Sequence, residues 1–133
     1  MSENSKTSPE GLEDALNILE KARESGMLQR LMEQLRKDYE RAGLHYPLGE
    51  RMVTEMDLSE VFSVLKEHMY RLLMESFDQH LTLMYAMDVP ERDFSSIEPA
   101  DAVDAAGHLT RMVLNREWQK LQLRKRFDGA GEA

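Results

Sequence analysis

Residues 57–87 read DLSEVFSVLKEHMYRLLMESFDQHLTLMYAM. Their apolar positions recur every three or four residues and never alternate, which is the period of a helix face and not of a strand. Asp57 with Glu60 three residues on resembles a capping box with Asp in place of Ser or Thr, and Val89-Pro90 stops the pattern. We read the stretch as one helix, roughly 45 Å long at about 1.5 Å per residue. Its first half aims Leu58, Val61, Phe62, Leu65, Met69, Leu72 and Leu73 at one side. The second half adds Met74, Phe77, Leu81, Met84 and Tyr85 about a third of a turn round. Such a helix must bend, be buried on two sides, or break near Ser76, where Ser76-Phe-Asp-Gln79 can cap a second segment.

Moving toward the C-terminus, PERDFSSIE (90–98) reads as a connector with one turn of helix after Pro90, and Pro99 suits the first position of a last helix reaching Phe127. Asp101 and Asp104 lie in its first turns and Arg124, Lys125 and Arg126 in its last, an order that complements the helix dipole. Toward the N-terminus, Gly43 suits the left-handed cap of a helix striped by Leu28, Leu31, Met32, Leu35 and Tyr39. Leu44, Tyr46 and Leu48 in the loop beyond it are expected to fold back on the core. Ser25-Gly26 separates that helix from a first one, opened by Ser8-Pro9 and striped by Leu12, Ala15, Leu16, Leu19 and Ala22. With no Val/Ile/Thr alternation anywhere, the expected fold is all-α: a helical bundle of four to five segments with two long helices. It forms a single domain over 9–127, between disordered ends at 1–8 and 128–133.

Composition narrows the function classes. A chain of 133 residues, 41% hydrophobic and 32% charged, fits one core. It has no window apolar enough to cross a membrane and no signal-peptide pattern at its start. Cysteine is absent, which excludes disulfides, thiolate nucleophiles and thiolate zinc sites and suits a cytoplasmic protein. The net charge of -8 argues against nucleic acid as a partner. That charge is uneven: residues 61–110 carry 9 acids against 3 bases, and residues 111–133 carry 3 against 6. The basic end, with Arg116, Lys120, Arg124, Lys125 and Arg126, has an ordinary explanation in the helix dipole, against a nucleic-acid or acidic-membrane patch.

Catalytic and metal motifs are missing. No GxSxG, Ser-x-x-Lys or glycine-rich loop occurs, and HExxH and Glu-x-x-His fail because Leu65, Phe77 and Ala105 stand three before His68, His80 and His108. The expectation is a non-enzyme without cofactor. A scattered carboxylate/histidine metal site from Glu75, His80, Asp104 and His108 is the alternative, should the two long helices face each other. Otherwise His80 is a hydrogen-bonded histidine at the core edge, the other histidines are surface groups, and the acids form a solvated face. The ten methionines fill an irregular core or line an adaptable groove.

The last helix is apolar on two sides, with Ala102, Ala106, Leu109, Val113 and Phe127 on one and Val103, Leu114, Trp118 and Leu121 on the other. Arg116 and Lys120 fall inside the first stripe and should meet an acid such as Glu75 or Asp78. Two apolar sides need two neighbours, and one small chain has few to give. We therefore expect a protein that works by association, as a homodimer or with another protein, and assign Trp118, Leu114, Leu121, Phe77, Leu81 and Tyr85 to the partner-binding surface. LMYAMDVPE at 83–91 and NREWQKLQLRKRF at 115–127 resemble the closing part of small, uncharacterised helical bacterial proteins. What that resemblance implies is a bacterial, cytosolic, helical protein, and it transfers no residue role.

Overall fold

The structure, a computed structural model, describes residues 11–132, with side chains as far as Arg126. Five α-helices follow in order: α1 (Leu12–Glu24), α2 (Leu28–Arg41), α3 (Leu58–Glu75), α4 (Phe77–Ala86) and α5 (Ala102–Glu132). Short 3₁₀ turns cover Val53–Glu55, Glu91–Asp93 and Pro99–Asp101, and the described residues contain no strand. The fold is an all-α bundle. Helices α3 and α5 form its central pair, α1 lies against both, and α2 packs on α4 and α5.

The core is what the periodicity asks for. Ala15, Leu19 and Ala22 of α1, Leu31 and Leu35 of α2, Val61, Leu65, Met69 and Leu73 of α3, and Leu109, Val113 and Leu114 of α5 are all buried. Each such leucine contributes about 1.5–3 kcal/mol through burial. Tyr46 and Leu48 of the loop after α2 are buried beside them and Leu44 is partly buried there, as the loop pattern suggested, and Val53 adds to the same core. Helix α3 opens at Asp57, whose side chain accepts from the Ser59 amide at 3.2 Å.

The preferred reading of one helix over 57–87 is corrected by a break at Ser76, which stands at φ -148°, ψ 60°. Leu72 and Leu73 at the end of α3 and His80, Leu83 and Met84 of α4 are all buried, and the apolar stripe turns between the two sets. One straight axis would leave one set in water, so leaving helical geometry for a residue is the cheaper solution. The backbone of the last helix runs to Glu132. The Ser8-Pro9 cap lies outside the described residues, as does the side chain of Phe127.

Three junctions fix the ends of helices. Gly11, before α1, has φ +81°, and a Cβ there would stand 2.6 Å from the Gly107 carbonyl oxygen on α5, so any larger residue fails on both backbone and space. At the end of α2, Gly43 takes φ +77°, with its amide donating to the Glu40 carbonyl and Leu44 to that of Tyr39. The same pair of bonds ends α4, from Asp88 to Tyr85 and from Val89 to Met84, yet the left-handed residue there is Asp88 at φ +63°. Arg116 of α5 compensates. Its Nε donates to the Asp88 carbonyl at 2.9 Å and its Nη2 to the Asp88 carboxylate at 2.7 Å.

Candidate functional site

The most unusual chemistry lies between α2 and α5. Gln34 and Asp38 follow Leu31 at three- and four-residue steps, and Glu117 follows Leu114 by three and precedes Leu121 by four. Polar side chains thus occupy core positions of two apolar stripes, and where the helices cross they meet. Asp38 is 1% exposed and Glu117 0%. Gln34 spans the gap, donating from Nε2 to both the Glu117 carbonyl and Glu117 Oε1 at 2.8 Å. Lys120, one turn after Glu117, places Nζ 2.9 Å from Asp38 Oδ2 and 2.9 Å from Glu117 Oε2. Arg41 pairs with the other Asp38 oxygen from the solvent side.

The two buried carboxyls do not behave alike. Burial pushes Glu117 up to about 7, helped by the hydrogen bond to Asp38 and opposed by Lys120. Burial acts on Asp38 in the same sense, but the hydrogen bond from Glu117, the Lys120 ammonium and Arg41 outweigh it and hold Asp38 below the usual carboxylate range. The contact of Lys120 with Glu117 Oε2 has ion-pair distance without hydrogen-bond geometry, so that oxygen has no donor of its own. A proton held by Glu117 and shared with Asp38 satisfies the pair with a single negative charge against Lys120. Removing that proton places two charges side by side in the interior.

Above this cluster opens a cleft of about 810 Å³, bounded by α2, by the loop over 46–53 and by the second half of α5. Its walls carry seven of the chain's 17 lysines and arginines but only three of its 25 acids, Glu33, Asp38 and Glu50. Met52 lines it too and is 54% exposed. Gln34 reaches its floor, and the Gln34 amide oxygen has no hydrogen-bond partner.

The residues assigned to a partner surface are divided by the fold. Leu114 and Leu121 are buried within the chain and Trp118 is partly buried against the same core, whereas Val103, at the start of that side of α5, is 72% exposed. Leu114 and Leu121 are therefore not open to a partner, as their assignment had them, because the core of this chain already covers them. Phe77, Leu81 and Tyr85 share one face of α4 at four-residue steps, the first two partly buried and Tyr85 58% exposed. Met74, at the end of α3, is 54% exposed.

The alternative metal set does not assemble. Glu75 and Asp104 are exposed on different helices, His80 is fully buried, and among the described residues no three His, Asp or Glu groups converge. His80 sits inside the core and not at its edge. Its Nδ1 lies 3.1 Å from the Phe77 carbonyl, and the rings of Phe77 and Phe94 flank it at 4.7 and 6.2 Å. Burial depresses its pKa against the opposing pull of the Phe77 carbonyl, so the ring is held neutral. His68 is likewise no free surface group: it stacks near Tyr39 at 5.4 Å, and burial, then His45 and Arg71, depress its pKa. Within the basic end, Arg116 and Lys120 find acids, but these are Asp88, Asp38 and Glu117, and not Glu75 or Asp78.

The sequence reading missed Asp38 and Glu117 as buried groups. The available signal was their phase, since each falls on an apolar stripe where a solvated acid does not belong. No known family model matches the chain, and neither a characterised protein nor a solved structure matches it. No helix among the described residues is long and apolar enough to cross a membrane.

Proposed function

We propose that this protein is a non-catalytic helical interaction module that works by association, first of all with copies of itself. The observation that carries this reading is the face of α4. Phe77, Leu81 and Tyr85 run along it, Met74 stands exposed just before it, and both Tyr85 and Met74 leave more than half of their surface in water. The helix is held firmly underneath by His80, Leu83 and Met84, so the stripe is presented on an ordered element. Apolar side chains grouped in this way mark contact surfaces, because covering them releases water at about 25 cal/mol per Å². The buried acid pair between α2 and α5 supports the same reading. Gln34 and Lys120 bind its carboxyls from within the chain, and both carboxyls are buried, at 1% and 0% exposure.

Light scattering of the full chain tests the proposal. The expected mass at tens of micromolar exceeds the 15.4 kDa of one chain. The double variant Met74→Ser, Tyr85→Ser touches two exposed side chains and should return the protein to monomer with its helical circular dichroism unchanged. A wild-type chain that stays monomeric over that range overturns self-association.

A further inference from the structure

Self-association requires a surface that receives what α4 and its surroundings offer, and the charges of this chain say where that surface lies. Between residues 88 and 104 six acids, Asp88, Glu91, Asp93, Glu98, Asp101 and Asp104, are exposed, with Arg92 as the only base. This connector is rigidly placed. Phe94 is 1% exposed, its ring meets those of His80 and Tyr85, and Arg116 clamps Asp88 from α5. The acids therefore stand on an ordered ledge beside the exposed Tyr85.

The cleft between α2 and α5 is its complement in sign. Four of its seven cations are already engaged within the chain: Arg36 by Glu33 and Glu40, Arg51 by Glu60, and Arg41 and Lys120 by the buried acids. Among the described residues Arg30, Lys37 and Arg124 find no ion-pair partner, and they are exposed on the cleft walls, Arg30 and Lys37 on one face of α2 with Gln34 between them. In a chain of net charge -8 a concave surface with an excess of positive charge focuses the potential that draws in an acidic segment. Met52 at the rim supplies an apolar contact of the kind Tyr85 needs.

We propose that the cleft receives the acidic 88–104 connector of a second copy of this chain, with the Tyr85 flank of α4 lying against the apolar rim. The two surfaces share no residue, so each contact joins the head of one copy to the tail of another; it closes where two copies pair reciprocally or the rotation completes a ring, and otherwise continues from copy to copy. Ordered backbone on both sides keeps the entropic cost of docking low. This inference rests on self-association and specifies its geometry.

Sedimentation of the full chain at low and high salt, wild type beside two charge-reversed variants, tests it. Lys37→Glu with Arg124→Glu takes the cleft from seven cations against three acids to five against five, and Glu91→Lys with Asp93→Lys takes the connector from six acids against one base to four against three; all four positions are exposed, so both variants should keep the fold. Each variant alone should associate about tenfold or more weakly than wild type at low salt. Mixing the two should restore association, because the unaltered connector of the first variant then meets the unaltered cleft of the second, and added salt should weaken wild type and mixture together. A wild-type assembly indifferent to salt and to both reversals overturns the head-to-tail contact while leaving self-association standing. A monomeric wild type removes both. Loss of association in the variants without rescue on mixing also overturns it, and points to an acidic partner other than this chain.

Discussion

Two junctions hold α5 in place, and they use charge in opposite ways. At the crossing of α2 and α5, Asp38, Glu117 and Lys120 are drawn into the interior, where ionised groups are expensive and only mutual satisfaction makes them tolerable. At the end of α4, Arg116 and Asp88 make a similar ion pair in which the carboxylate stays 76% exposed. Water screens the second pair and leaves it worth about 0–1 kcal/mol. The first cannot lose Asp38 or Lys120 without leaving a charge stranded. Burial, and not the number of ion pairs, therefore decides which of the two junctions the fold depends on.

The largest expected effect follows from removing the cation. Lys120→Met leaves Asp38 and Glu117 facing each other with only Arg41 at the surface, and should cost about 3–5 kcal/mol in urea unfolding at pH 8. At pH 5 the loss should be smaller, because Glu117 then carries its proton. An equal loss at both values would mean that the lysine serves by packing alone.

Glu117→Gln sharpens the contrast from the other side. The amide keeps an acceptor for Gln34 and supplies a donor toward Asp38, so it imitates the protonated acid. Glu117 has its pKa raised from 4.5 to about 7 by folding. Its contribution is therefore fully present below 4.5 and is lost as the pH rises through 7, an effect of about 3 kcal/mol at saturation. His68 and His80 act in the opposite sense, since depressed pKa values give stability that is present above about 6.5 and lost on acidification. Comparing wild type with Glu117→Gln at pH 5 and pH 8 cancels the histidines. The variant should gain about 2–3 kcal/mol on wild type between those values, and parallel curves would show that Glu117 is ionised throughout.

The smallest effect is expected at the exposed junction. Asp88→Gly relieves a left-handed residue, a change worth roughly 1 kcal/mol, and gives up a screened pair of similar size. Thermal melting should move by no more than about 0.5 kcal/mol in either direction. A loss above 2 kcal/mol would place Arg116 and Asp88 in the same class as the buried cluster.

The all-α class, the core stripes of α1, α2, α3 and α5, the cap at Asp57 and the fold-back of Tyr46 and Leu48 were legible in the sequence, because each depends on spacing within one short segment. Periodicity also raised the change of face near Ser76. Whether that change bends the helix, breaks it or buries it twice depends on what packs against it, and only the positions of α2 and α5 settled it. The same limit governed the sites. Leu114 and Leu121 looked in excess on one helix and were covered by another element of the same chain. Asp38 and Glu117, 79 residues apart, acquired their unequal proton affinities only when α2 crossed α5. Local sequence determines which faces are apolar, since that is a matter of helical geometry. Which face meets which, and hence which charge loses its water, is a property of distant contacts and is decided by the tertiary structure.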